Sequence, residues 1–193
     1  QVYSVPAQIE LLPSRMPFNF FKSKTAEPKI TDLIWIHAGA KQKGFIELLE
    51  QYPDAIIAGW FDDTISLFQQ FLQPGHKEKV VRNIRQLVSP QVENKQVILL
   101  EHYPLYSKEE QLWQHWKPAG IYILNSLDEP LFSYFGGENA AMLMGKMGLK
   151  ENEAIEHPMV SKALKNAQQK LEKQVLNEHS AVSQEEWLSL IHI

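Results

Sequence analysis

A chain of 193 residues with 19 Lys and Arg against 23 Asp and Glu carries a formal net charge of −4, which excludes the broad basic excess of a non-specific nucleic-acid binder. Its 44% hydrophobic and 22% charged residues suit one globular domain, or one domain plus an appendage. The lack of cysteine excludes disulfides, thiol catalysis and cysteine-ligated zinc, and fits a cytoplasmic protein.

In chain order, residues 1–30 are proline-rich and predict one short extended piece followed by turns. DLIWIH, residues 32–37, predicts an apolar strand, and AKQKGFIELLEQ, residues 40–51, a helix with Phe45, Leu48 and Leu49 on one face. DAIIAGW, residues 54–60, has the continuous apolarity of a buried parallel strand. The Ile65, Phe68, Leu72 spacing predicts a helix, with Asp62 or Asp63 as its N-cap. KEKVVRNIR, residues 77–85, is basic and predicts a short strand or a helix, with Val80, Val81 and Ile84 favouring the strand, and QVENK predicts a loop. VILLEH, residues 97–102, predicts a central strand. SKEEQLWQHW, residues 107–116, predicts a helix capped by Ser107 with Glu110 completing a capping box, and IYIL, residues 121–124, another strand.

After residue 137 the pattern is helical. A Met-rich helix carrying Met142, Met144 and Met147 closes at Gly148. Pro158 opens a helix whose face carries Val160, Ala163, Leu164, Ala167, Leu171 and Val175, and which should dock on its own domain or on a partner. Ser183 and Glu186 form a capping box for a last helix anchored by Trp187, Leu188 and Ile191. Alternating strands and helices predict an α/β fold: a mostly parallel sheet of four or five strands, helices on both faces, and a C-terminal helical extension. No apolar run approaches the ~18 residues of a membrane span, and no signal peptide is visible. The chain opens on Gln1, so it is read as part of a longer protein.

Residues 126–175 carry a family resemblance. Ser126, Leu127, Leu131, Phe135 and Gly136, then Glu153, Ile155, Glu156, His157, Val160, Ala163, Asn166, Ala167, Gln168, Lys170 and Glu172, match the exit from the second motor domain of the SecA preprotein translocase ATPases and the start of their scaffold helix. IELLPSRMP, Asp32-Leu-Ile-Trp and DAIIAGWFDDTISLFQQFL resemble earlier parts of that domain more loosely. The resemblance implies a RecA-like (P-loop NTPase-type) motor domain over residues 1–137 and a scaffold-helix start over 138–193. Along the family's arginine-rich motif, residues 101–120 keep Glu101, Gln111, Leu112 and Gly120, but Trp113, His115 and Pro118 replace three arginines that contact nucleotide phosphates in the family. No Walker A loop occurs. The resemblance therefore implies no catalytic residue and no cofactor for this chain, with ATP only if an upstream motor domain exists. Glu101, Gln111 and Gly120 are then remnants of a nucleotide-facing motif.

Two other readings stand beside it. The chain is a stand-alone protein-interaction module that keeps only the fold, or a small hydrolase using Asp62, Asp63, Glu101 and His102, with His37 nearby, at the carboxyl ends of strands. The bland reading of Asp62-Asp63 is a helix cap. No His-x-x-x-His or Glu-x-x-His spacing supports a metal. The expected partners are another protein or an upstream motor domain, with no nucleic acid and no membrane span.

Overall fold

The computed structural model describes residues 28–72, 74–137 and 152–191, together with Met142 and Lys150. The expected N-terminal extended piece and the Met-rich helix ending at Gly148 lie outside the described residues, apart from Met142, which is helical and exposed.

Five strands, β1 (Ile30–Trp35), β2 (Ile56–Gly59), β3 (Val81–Asn83), β4 (Gln96–Leu99) and β5 (Gly120–Ser126), form one sheet in the order β1-β5-β4-β2-β3, with every pairing parallel. Central β4 explains its own sequence: Val97, Ile98 and Leu99 are wholly buried, as a strand covered on both faces must be. Connections β1→β2 and β2→β3 run one way across the sheet, and β3→β4 and β4→β5 run back. With one crossover handedness, their helices fall on opposite faces.

The packing follows this division. Helices α1 (Ala38–Gln51) and α2 (Asp62–Leu72) cover one face with Phe45, Leu48, Leu49, Phe68 and Leu72, against Ile57, Ile98 and Leu124. The other face buries Ala58, Val97, Leu99, Ile121 and Ile123 beneath α3 (Ser89–Val92), α4 (Tyr106–His115) and two C-terminal helices. These are α6 (Pro158–Gln174), through Leu171, and α7 (Gln184–Leu190), through Trp187. A short α5 (Pro130–Tyr134) lies between β5 and the extension. Gly44 belongs to the α1 contact, since a Cβ there would come within 2.1 Å of the Trp35 ring. This is the α/β, mostly parallel RecA-like architecture with a helical extension. The sheet is parallel throughout.

Several expectations need correction. The first strand starts two residues early, and His37 instead caps α1, its Nδ1 accepting from the Ala40 N–H at 3.1 Å. The basic run 77–85 gives only three strand residues, because the Asn83 side chain accepts from the Arg85 N–H and turns the chain into a 3-10 helix at Ile84–Gln86. The expected loop at 91–95 begins in α3. Ser107 does not cap α4: Leu105 holds that position without a side-chain bond, and Ser107 Oγ donates to Glu172 on α6. On α6 Ala163 is exposed and Gln168 occupies the buried seam. Pro158 does open that helix, and Ser183 Oγ accepts from the Glu186 N–H at 3.0 Å. The Glu186 carboxylate closes on the Val182 N–H instead of the cap residue. The extension docks on its own sheet.

Candidate functional site

Parallel strands deliver their carboxyl ends, and the helix N-termini that follow, to one edge of the sheet. There β4 ends and the chain leaves the ladder as Glu101-His102, both buried. Glu101 turns toward the start of α2. Its Oε1 accepts from the backbone N–H of Trp60 at 3.1 Å and of Phe61 at 3.0 Å, and its Oε2 accepts from Thr64 Oγ1 at 2.7 Å. Beside it lies Lys41 of α1, only 3% exposed, whose ammonium donates to the Leu100 carbonyl and to Glu129. These groups line a cavity of about 200 Å³ with Phe68 and the first turn of α7.

Burial lifts the Glu101 carboxyl to about 7, against the lowering effect of Thr64, Lys41 and the Phe61 N–H. Burial also raises Glu129, despite its lysine partner. A carboxyl raised in the folded state adds stability below its unfolded value of 4.5 and loses it as pH rises through about 7. Glu101→Gln keeps the shape and an acceptor for both N–H groups. It is expected to gain about 1–3 kcal/mol on the parent protein between pH 5 and 8, read by urea unfolding across that range. A constant difference between the two proteins would contradict the assignment.

His102 turns the other way. Its Nε2 meets Asp32 of β1 at 3.0 Å, and its Nδ1 meets both oxygens of Glu109 of α4 at 2.9 and 3.1 Å. Burial disfavours the imidazolium, but the two carboxylates outweigh it and hold the ring protonated up to about 10. Asp32 is lowered in turn: the imidazolium outweighs its burial. Glu109 also accepts from the Tyr103 N–H at 2.8 Å. Two buried glutamines complete the cluster. Gln168 of α6 donates to the Tyr103 carbonyl at 2.7 Å and to Glu109 at 3.3 Å, while Gln184 of α7 donates to the His102 carbonyl at 3.1 Å. With both ring nitrogens held by carboxylates, His102 has no free nitrogen to act as a base.

The other expected site residues lie apart. Asp62 and Asp63 sit within the first turn of α2, one step past the cap position. Asp62 Oδ1 accepts from Asn83 Nδ2 at 3.1 Å, and the Asp63 N–H donates to the Val182 carbonyl at 3.0 Å. Among the described residues no hydrogen bond or ion pair joins either aspartate, or His37, to Glu101 or His102. Gln111 is exposed on α4, and its carbonyl accepts from His115 Nδ1 at 2.7 Å. Gly120 opens β5 opposite Gln96, at the amino edge, so roughly 16 Å of strand separates its level from that of Glu101. Trp113 and Trp116 pack edge to face in the core, their ring centroids 6.0 Å apart. Among the described residues no group of His, Asp and Glu is placed to hold a metal ion.

Sequence reasoning gave no site role to Lys41, Asp32, Glu109, Glu129, Gln168 or Gln184, although Asp32 and Gln168 stood among the residues of the family resemblance. Three of them carried a signal: a polar residue at a core-facing helical position. Lys41 stands four residues before Phe45, Glu109 four before Trp113, and Gln168 between Leu164 and Leu171.

No family model matches the chain. The protein translocase subunit SecA of Acidithiobacillus ferrooxidans is 55% identical to it over 47 residues, 24% of this chain and 5% of that protein. The SecA subunits of Methylococcus capsulatus, at 49%, and Acinetobacter baumannii, at 51%, match over the same number of residues. The chain thus carries a SecA-like segment, and spans about 5% of the length of the curated relatives it matches.

Proposed function

We propose that this chain is a SecA-related domain of a protein-export system that supplies a shaped surface and no nucleotide chemistry of its own. It comprises a motor-like unit over residues 1–137 and a scaffold-type extension over 138–193, both cytoplasmic. Its partner is an upstream motor domain or another protein of the export system, and ATP belongs to that upstream domain if one is present. The SecA-like segment and the parallel sheet support the kinship. No helix among the described residues is long and apolar enough to cross a membrane.

One observation carries the loss of nucleotide chemistry: the chain fills its own anion position. Backbone N–H groups at a helix start plus a hydroxyl and an ammonium are what a phosphate seeks. Here the Glu101 carboxylate already takes the Trp60 and Phe61 N–H groups and the Thr64 hydroxyl, and Glu129 takes Lys41. A polyphosphate at this edge would meet carboxylates. Of the arginines among the described residues, Arg82 and Arg85, neither lines this cavity; Arg85 lies over the Tyr103 ring at 5.8 Å. Titration calorimetry of this chain with Mg-ATP and Mg-ADP should give no heat of binding up to millimolar ligand. Micromolar affinity would overturn the reading.

The interaction-module reading gains from α2, where Leu67 and Phe71, one turn apart, are 51% and 37% exposed. Recovery of an identified partner protein that has no motor domain, lost in a Leu67→Ser/Phe71→Ser variant, is the result this reading expects; capture of an upstream motor domain instead would speak against it.

A further inference from the structure

The C-terminal helices meet the sheet in an unusual way. Helix α6 has 17 residues and buries only Leu164, Gln168 and Leu171; α7 buries Gln184 and Trp187. Two of these five anchors are amides, and a buried amide costs free energy unless it is bonded. Both are bonded to one turn. Gln168 Nε2 reaches the Tyr103 carbonyl and Gln184 Nε2 the neighbouring His102 carbonyl, while Gln184 Oε1 accepts from the Leu131 N–H at 2.7 Å. That turn is fixed from beneath by the Asp32–His102–Glu109 cluster. The Trp187 ring packs on Tyr103 of the same turn at 5.9 Å. Among the described residues the hydrogen bonding to α2 is one backbone bond, from the Asp63 N–H to the Val182 carbonyl. Ser183, Gln184 and Glu185 meanwhile form one wall of the cavity that holds Lys41 and Glu101.

We propose that residues 158–190 form a detachable strap, latched by Gln168 and Gln184 onto the carbonyls of Tyr103 and His102, whose release opens the carboxyl-edge cavity. The two latches act together because they grip consecutive carbonyls of one turn: a displacement that breaks one misplaces the other. The strap opens below global unfolding, because its three buried apolar residues are spread over two helices and its other core contacts, Val160, Val175, Ala181 and Leu188, are only partly buried, whereas β4 alone buries three residues completely. This inference does not depend on whether the edge ever binds nucleotide.

Native-state amide exchange by NMR on the whole chain tests it. In low urea, α6, α7 and the Asp63 amide are expected to share one opening transition, distinct from that of β4 and β5. Gln184→Leu should speed exchange about tenfold or more in α6 as well as in α7, with β4 and β5 unchanged. Acceleration confined to α7, or an equal rise throughout the strands, would overturn the proposal. If that variant does not fold, the parent protein decides it alone: α6 and α7 opening separately, or only with the strands, has the same consequence.

Discussion

His102→Ala is expected to lower the unfolding free energy by about 3–5 kcal/mol at pH 7, measured by urea denaturation. The loss has two sources. Asp32 and Glu109 face each other across the ring, and without the imidazolium two buried negative charges share one polar pocket. The ring also leaves a cavity beneath the turn that both C-terminal helices grip. The triple variant His102→Leu/Asp32→Asn/Glu109→Gln separates them, since it removes the charges and refills part of the volume. It should be more stable than His102→Ala, and a triple variant that falls further would show that packing and not charge dominates. The pH dependence has a definite sign. The folded imidazolium persists to about 10 against 6.5 for an ordinary histidine, so its contribution is complete below about 6.5 and disappears as pH rises through about 10. Stability of the parent protein should therefore fall on the alkaline side, and His102→Ala should not show that fall.

Lys41→Met is the second large effect, again about 3–5 kcal/mol at pH 7. Its ammonium is enclosed by the Leu100 carbonyl, Glu129 and the face of Phe68, 5.5 Å from the ring centroid. Removing it leaves the Glu129 carboxylate buried without its cation, beside Glu101. The second variant of the cycle, Glu129→Leu, leaves the lysine alone and should also be destabilised. Combining the two restores an apolar contact, and the double variant should recover at least 1 kcal/mol relative to the sum of the single losses. Strict additivity would show that the two side chains do not act as a pair. Residual loss in the double variant has a physical source, because the Leu100 carbonyl still lacks its donor.

The two clusters share a design. Glu101 and His102 are adjacent in the chain and point to opposite partners, one toward α1 and α2, the other toward β1, α4 and the extension. The end of the central strand is therefore the place where both layers of the fold are bonded through charged groups. At this edge the Trp60 and Phe61 N–H groups and the Thr64 hydroxyl are taken by Glu101, and the Lys41 ammonium by Glu129 and the Leu100 carbonyl.

The sequence by itself determined the architecture. The apolar runs within 54–60 and 97–102, short and bounded by turn signals, suit strands covered on both faces, and the period of Phe45, Leu48 and Leu49 suits a helix against them. Pro158 and Ser183 marked helix starts because their chemistry is local: a missing N–H costs nothing at a first turn, and a hydroxyl reaches a backbone N–H three residues on. What only the tertiary structure decided was which charges meet. Asp32 lies 70 residues from His102, Lys41 lies 88 from Glu129, and Gln184 lies 82 from the carbonyl it binds. Such pairs obey no period, and strand order alone sets their distance. The aspartates at 62 and 63 found distant partners, Asn83 for the Asp62 carboxylate and the Val182 carbonyl for the Asp63 N–H, while a lysine on an apolar helix face proved to be a buried cation.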